Sequence, residues 1–361
     1  MRQEIVFMKK VLIIQNKRIG DVLISSVIAN NYKAKHPDSE IHFMAYDFTH
    51  GVLMNNPNID KIISINDKEL KKLPVLWKLI RSVKKEKYDV IFDPYSKTQS
   101  RLICKFSKAK LTIGHKSRKK LGNWGFYTNP VTISKEKTKI CGKAIEDRIH
   151  LLQQAELFDA IDYAPKLFLS AEEKATNQLG KYTDKKVIVF GILGSTPQKS
   201  MPYEYVAEIV DFIANNYDVY ILFNYAPHQK EEADKIFNLC QNKAKIILDI
   251  YAPSIRDFVK LMNQCAVLVS NEGGTVHIAK ALNKPTFTIF SPYIRKEDWA
   301  SFEDGTFHKS VHLFDENPDL LLSYSFEDLK EMEKNPQILY QKFTPNKIIP
   351  QLDVFLKSHL L

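Results

Sequence analysis

The chain is poor in the features that would tie it to a secreted scaffold or a membrane span. It has four cysteines, Cys104, Cys141, Cys240 and Cys265, widely separated and without a Cys-x-x-Cys pair. That excludes a disulfide framework and reads as reduced, mostly buried thiols of a cytoplasmic protein. No apolar run approaches the ~18 residues of a spanning helix, and the N-terminus lacks a signal-peptide core. No Asp-x-Asp pair and no His/Cys cluster at zinc spacing occurs, so neither metal nor cofactor is expected. A Walker-type glycine loop is missing, and no Gly-x-Gly-x-x-Gly follows the first strand, which argues against a P-loop ATPase and a dinucleotide oxidoreductase. Nucleic acid is not an expected partner, because zinc-finger spacing, RNA-binding signatures and base-reading basic helices are all absent.

What is present is enough apolar material for two cores. Hydrophobic residues make up 44% of the 361 and charged residues 26%, an ordinary globular balance at a length that favours two domains. Short β-like runs alternate with helical patterns, which implies parallel sheets flanked by helices. In the first half the strands are read at Val11–Ile14, Ile41–Ala45, Ile62–Ile65, Val90–Phe92, Leu111–Ile113 and Val131–Ile133, with helices at Val22–Lys35 and Leu73–Lys85. In the second half they are read at Val187–Phe190, Val219–Phe223, Ile246–Leu248, Val267–Val269 and Thr286–Phe290. Ser254-Ile255-Arg256-Asp257 is a capping-box pattern opening a helix to about Cys265. The expected division is 1–168, 169–335 and a tail, 336–361, with a final helix. Residues 1–7 are read as an extension ahead of the first strand, and Trp77, Trp124 and Trp299 as core or lobe-contact residues.

Two openings from strand through loop to helix carry the chemistry. One is Val11-Leu12-Ile13-Ile14, then Gln15 to Asp21, then a helix. The other is Val267-Leu268-Val269, then Ser270-Asn271-Glu272-Gly273-Gly274-Thr275-Val276-His277, then a helix. The glycine turn aims backbone N–H groups and the positive end of a helix dipole at one spot, where phosphate is the natural occupant. Two such openings suggest two nucleotide-fold lobes facing across a cleft. The net charge is +10, with much of it between Arg101 and Lys120 (Lys105, Lys108, Lys110, Lys116, Arg118, Lys119, Lys120). That stretch reads as a solvated face, or as attraction to anionic lipid or an acidic glycan, a cationic patch near a membrane gaining ~1 kcal/mol per residue.

With these motifs in order, the chain resembles glycosyltransferase family 9, the bacterial lipopolysaccharide heptosyltransferases, over roughly residues 9 to 300. The resemblance rests on Gly20-Asp21 after the first strand, Tyr88 to Asp93, Lys199-Ser200-Met201-Pro202, and the glycine turn with His277, Lys284-Pro285 and Phe290-Ser291-Pro292. It implies an α/β fold of two doubly wound Rossmann-like lobes facing across a cleft, the GT-B arrangement, with an acceptor-side first lobe and a nucleotide-sugar-binding second lobe. It implies an inverting transfer from an ADP-heptose-like donor to a glycolipid acceptor at the inner face of the inner membrane. Asp21 is then the catalytic base, although Asp also caps helices. Lys199 balances the charge of the leaving diphosphate. Gly20, Ser195, Thr196, Glu272, Gly273, Gly274, Thr275 and His277 bind the donor. Many members have Asp-Thr-Gly at the turn where this chain has Glu272-Gly273-Gly274, so Glu272 is expected to hold a sugar hydroxyl or orient the turn. Family members place the nucleoside near Asn224 to His228, which leaves Gln229, Glu231 and Glu232 open as partners of the ribose. The alternatives are a nucleotide-sugar epimerase, which would release free sugar without an acceptor, and a non-catalytic binder, which would hold donor without transfer.

Overall fold

The computed structural model describes residues 9–116, 125–133, 140–335 and 337–361. The extension at 1–7, Arg118, Lys119, Lys120 and Trp124 lie outside the described residues. Two compact units divide at Leu169/Ser170.

The first unit follows the alternation of its sequence. In chain order it comprises β1 (Lys10–Ile14), α1 (Ile19–Lys35), β2 (Glu40–Tyr46), β3 (Lys61–Ile65), α2 (Leu73–Glu86), β4 (Val90–Asp93), α3 (Thr98–Ser107), β5 (Leu111–His115), β6 (Asn129–Val131) and α4 (Lys143–Gln153). All strand pairs are parallel, in the order β3-β2-β1-β4-β5-β6. Leu12, Ile14, Met44 and Ile91 face α2 and α3, whose Leu76, Ile80, Val83, Ile103 and Cys104 close that core. On α1 an unbroken stretch from Val22 to Tyr32 is buried, as required of a helix enclosed by neighbours, α4 among them.

The second unit repeats the plan. It contains α5 (Ala171–Ala175), β7 (Lys186–Gly191), α6 (Tyr203–Asn216), β8 (Val219–Asn224), α7 (Lys230–Leu239), β9 (Ile246–Ile247), α8 (Ile255–Gln264), β10 (Val267–Asn271), α9 (Gly274–Ala281), β11 (Thr286–Ile289), α10 (Lys296–Trp299), β12 (His308–Val311), α11 (Phe326–Lys334), α12 (Gln337–Tyr340) and α13 (Pro345–Leu360). Its parallel sheet runs β12-β11-β10-β7-β8-β9. Counted from its own first strand, each sheet reads 3-2-1-4-5-6, the order of the dinucleotide-binding fold. The chain is therefore α/β, with two doubly wound Rossmann-like units.

Several local expectations shift. β6 starts at Asn129 and ends at Val131, two residues ahead of the predicted run. β12, His308–Val311, escapes the hydrophobic pattern because its centre is Lys309-Ser310. Leu248 leaves β9 and is half exposed. Ser254 caps α8 by accepting from the Asp257 N–H at 3.1 Å, while its hydroxyl donates to the Asp257 carboxylate at 2.6 Å. Trp77 and Trp299 are each a little under half exposed and are not core residues. The four cysteines are buried free thiols, and no helix among the described residues is long and apolar enough to cross a membrane.

Candidate functional site

In an open parallel sheet, ligands bind outside the carboxyl ends of the strands where the strand order reverses. In the first unit that point lies between β1 and β4, and in the second between β7 and β10. The sequence-predicted residues fall on the loops at these two points.

After β1, Gln15 N–H donates to the Met44 carbonyl and Tyr46 N–H donates to the Asn16 carbonyl, so the loop stays tied to β2 as it leaves the sheet. Gly20 and Asp21 then enter the first turn of α1. The Asp21 carboxylate is held at both oxygens. Oδ1 accepts from Arg148 Nη2 at 2.7 Å, and Oδ2 accepts from the Arg18 backbone N–H at a looser 3.3 Å. Arg148 comes from α4 and is itself fixed by Ser25 Oγ (3.3 Å) and the Ala144 carbonyl (2.9 Å). The capping contact and an oriented carboxylate thus coexist in Asp21. On the same loop the Asn16 amide is fully buried with neither polar atom paired among the described residues.

The carboxyl end of β4 adds a fully buried acid. Asp93 accepts from Tyr127 O–H at 2.7 Å and from the Ser96 N–H at 2.8 Å. Burial pushes its pKa up to about 6 against these bonds. His115, at the end of β5, is pushed down to about 3 by burial and then by the nearby positive charge of Arg148 and its neighbours. Asp89, in contrast, is spent on structure: it accepts from the backbone N–H groups of Lys9 and Lys10 and pairs with Lys110.

In the second unit the loop after β7 turns back tightly. Gly194 donates its N–H to Ser200 Oγ at 3.0 Å, and a Cβ on Gly194 would lie 2.2 Å from the Lys199 carbonyl oxygen. Only glycine allows this loop to close. Gln229 braces it, donating to the Gly194 carbonyl at 2.7 Å and accepting from Ala226 N–H at 2.9 Å. Gln229 is therefore occupied in holding the loop, while Glu232 lines a recess of 470 Å³ with Ser195, Thr196, Tyr203, His228 and Gln229.

The loop meets the glycine turn through charge. Lys199 Nζ lies 3.2 Å from Glu272 Oε1, forming an ion pair. Glu272 Oε2 accepts from the Ser291 N–H at 3.1 Å, and Ser291 Oγ in turn donates to the Gln198 carbonyl. Burial raises the Glu272 pKa, with Lys199 opposing the shift. Glu272 therefore ties together the loops after β7, β10 and β11. Gly273 caps α9 in extended backbone, and a Cβ there would meet nothing within 4 Å. The space before the first turn of α9 is thus open where Gly274 and Thr275 begin. Thr275 Oγ1 sits 3.5 Å from Ser270 Oγ, and His277 is half buried one turn into the helix. Asn271 Nδ2, buried beside the turn, has no partner among the described residues. No three His, Cys, Asp or Glu side chains cluster as metal ligands among the described residues.

The structure thus brings Lys199, Glu272 and the glycine turn together, with Ser195 and Thr196 exposed on the adjoining loop. Sequence reasoning missed Arg148, Asn271 and Ser291. Arg148 had a signal: it falls on the same face of α4 as Ile145, Ile149 and Leu152, and a cation on a buried stripe needs a partner.

The model of glycosyltransferase family 9 (heptosyltransferase) matches residues 76–301, and the chain belongs to that family. Lipopolysaccharide heptosyltransferase 1 of Campylobacter coli is 23% identical over 296 residues, covering 78% of this chain and 83% of its own. Among solved structures, a family 9 glycosyltransferase from Veillonella parvula superposes with a TM-score of 0.77 at 16% identity, over 97% of this chain and 98% of its own. The E. coli heptosyltransferase WaaC, solved with ADP-2-deoxy-2-fluoro heptose, gives 0.64 at 17% identity, over 84% of this chain and 92% of its own. The protein is a heptosyltransferase-like glycosyltransferase.

Proposed function

We propose that the enzyme moves a heptose or similar sugar, with inversion, from an ADP-heptose-like donor to a lipopolysaccharide-core or related glycolipid acceptor. The donor reading is supported by a relative solved with an ADP-heptose analogue and by the open helix N-terminus at Gly273. The observation that carries the catalytic part is Asp21, held through Oδ1 by Arg148 while Oδ2 has, among the described residues, only the long contact to Arg18 N–H. Oδ2 takes the proton of the acceptor hydroxyl. The acceptor oxygen bonds to the anomeric carbon as the bond from that carbon to the diphosphate breaks, and the nucleoside diphosphate leaves with the electron pair. The backbone N–H groups of α9, Thr275, His277 and Lys199 receive that charge, with Ser195 and Thr196 as further hydroxyl donors. The setting is the cytoplasmic face of the membrane that holds the acceptor.

The test is mass spectrometry of surface glycolipid from cells lacking the protein, paired with transfer from ADP-heptose in vitro. A truncated glycan restored by the purified enzyme is the expected result. An unchanged glycan, or free sugar released without acceptor, rejects this reading.

A further inference from the structure

The outward faces of α2 and α3 carry an arrangement that sugar transfer does not use. α2 buries Leu76, Ile80 and Val83. Its outer stripe holds Leu73, Trp77, Arg81 and Lys84, one above another at helical spacing, with Lys78 and Lys85 alongside. Leu73 is 68% exposed and Trp77 47%. On α3, Phe106 is 38% exposed, and its ring centroid lies 5.3 Å from that of Trp77. Single exposed apolar residues are ordinary on a protein surface. Two aromatic rings in contact with each other, with a leucine one turn away and cations on the same helix, form a patch that is amphipathic in a particular sense.

Its charge is of one sign. Residues 71–85 contain no Asp or Glu, and none occurs between 94 and 135. The acids between those stretches are already engaged: Glu86 with Lys10 and Lys61, Asp89 with Lys110, and Asp93 in the interior. Lys78, Arg81, Lys84 and Lys85 have no acidic partner among the described residues.

We propose that this α2–α3 face seats on the anionic headgroup surface of a lipid bilayer. Trp77, Phe106 and Leu73 enter the boundary between headgroups and acyl chains, where amphipathic rings are favoured. Lys78, Arg81, Lys84 and Lys85 reach the lipid phosphates, their long stems lying along the apolar patch. Because the inner stripe of α2 belongs to the core, only its outer ridge enters, and the contact is reversible and salt-sensitive. The inference rests on the reading above only in that a lipid-linked acceptor gives the contact its use.

The test uses the full chain with Trp124→Phe and Trp299→Phe, which leaves Trp77 as the sole tryptophan reporter. Vesicles of phosphatidylcholine alone are compared with an equal mixture of phosphatidylcholine and phosphatidylglycerol. The expected result is a blue shift of Trp77 emission and its quenching by brominated lipid, with the mixed vesicles only, reversed by salt. Changing Lys78, Arg81, Lys84 and Lys85 together to Ser should lower partitioning on the order of fivefold per charge. Trp77→Ser with Phe106→Ser should lower it with an unchanged thermal melt. Vesicle binding without any change at Trp77, equal binding to neutral vesicles, or no binding overturns the proposal. So does a dimer in sedimentation equilibrium that Trp77→Ser disperses, which would assign the face to a second copy. Partitioning is measured without donor or acceptor, and transfer to a delipidated acceptor should be unchanged in these variants, so failure here is separable from failure of the transferase reading.

Discussion

Asp21 holds a structural contact at each oxygen and, on the proposed mechanism, a chemical role as well. Asp21→Asn keeps an oxygen for Arg148 but takes no proton, so turnover should fall ~10²–10⁴-fold with nucleotide affinity unchanged by calorimetry. A drop under threefold would remove Asp21 from the base role and leave it only a cap, which Asn serves about as well as Asp. Lys199 has a different entanglement, because its partner Glu272 is buried. Lys199→Ala should weaken ADP binding and destabilise the second unit by about 3 kcal/mol, the scale for stranding one member of a buried pair. The folded pKa of Glu272 lies above its ordinary value, so the folded state retains the proton more readily than the unfolded. Its contribution is therefore most favourable in acid and declines as pH rises from the ordinary carboxylate range through the raised folded value. Removing Lys199 should steepen that decline, and adding Glu272→Gln should flatten it, both read from thermal melts across pH. Gly273 separates space from strain. Gly273→Ala should leave the melting temperature nearly unchanged, since its Cβ meets open space, yet weaken ADP on the order of tenfold by crowding N–H bonds to charged phosphate. If affinity also holds, the open space before α9 is not where phosphate sits.

At the scale of elements, helix faces explain both stability and partner choice. α13 contributes Ile348, Leu352, Phe355 and Leu356 to the second core, and Phe355 packs against Phe287 of β11 at 5.5 Å. The last helix is thus part of that unit's interior. Leu352→Ala should cost ~2–5 kcal/mol by chemical denaturation, and a cost under 1 kcal/mol would mean the helix docks loosely. α5 shows the same logic at the start of the unit. Ser170 caps it, and Glu173 grips Arg256 of α8 through paired bonds, holding the Glu173 pKa down at about 2. Short polar elements such as α5 and β12 are invisible to periodicity because tertiary partners, rather than an apolar stripe, stabilise them.

At the scale of the molecule, two sheets of identical strand order each present a loop cluster where the order reverses. On the proposed mechanism Lys199 and the N-terminus of α9 take the leaving-group charge, and the sequence has no Asp-x-Asp pair. We therefore expect donor turnover to survive EDTA. Loss with EDTA and full rescue by magnesium or manganese would overturn that expectation. Every strand but β12, the helices α1, α2, α8, α9 and α13, and both loop motifs were legible in the linear chain, because burial between helices imposes apolar runs on parallel strands and glycine turns leave a local signature. What could not be read was pairing at a distance. Asp21 meets Arg148 across 127 residues, and Lys199 meets Glu272 only because β7 and β10 lie side by side in the sheet. Composition likewise marked residues 101–120 as basic, but the exposed contact of Trp77 with Phe106 arises from the packing of α2 on α3. Local propensity is written in neighbouring residues; the partners of a buried charge and the faces left to solvent are set by which elements the fold brings together.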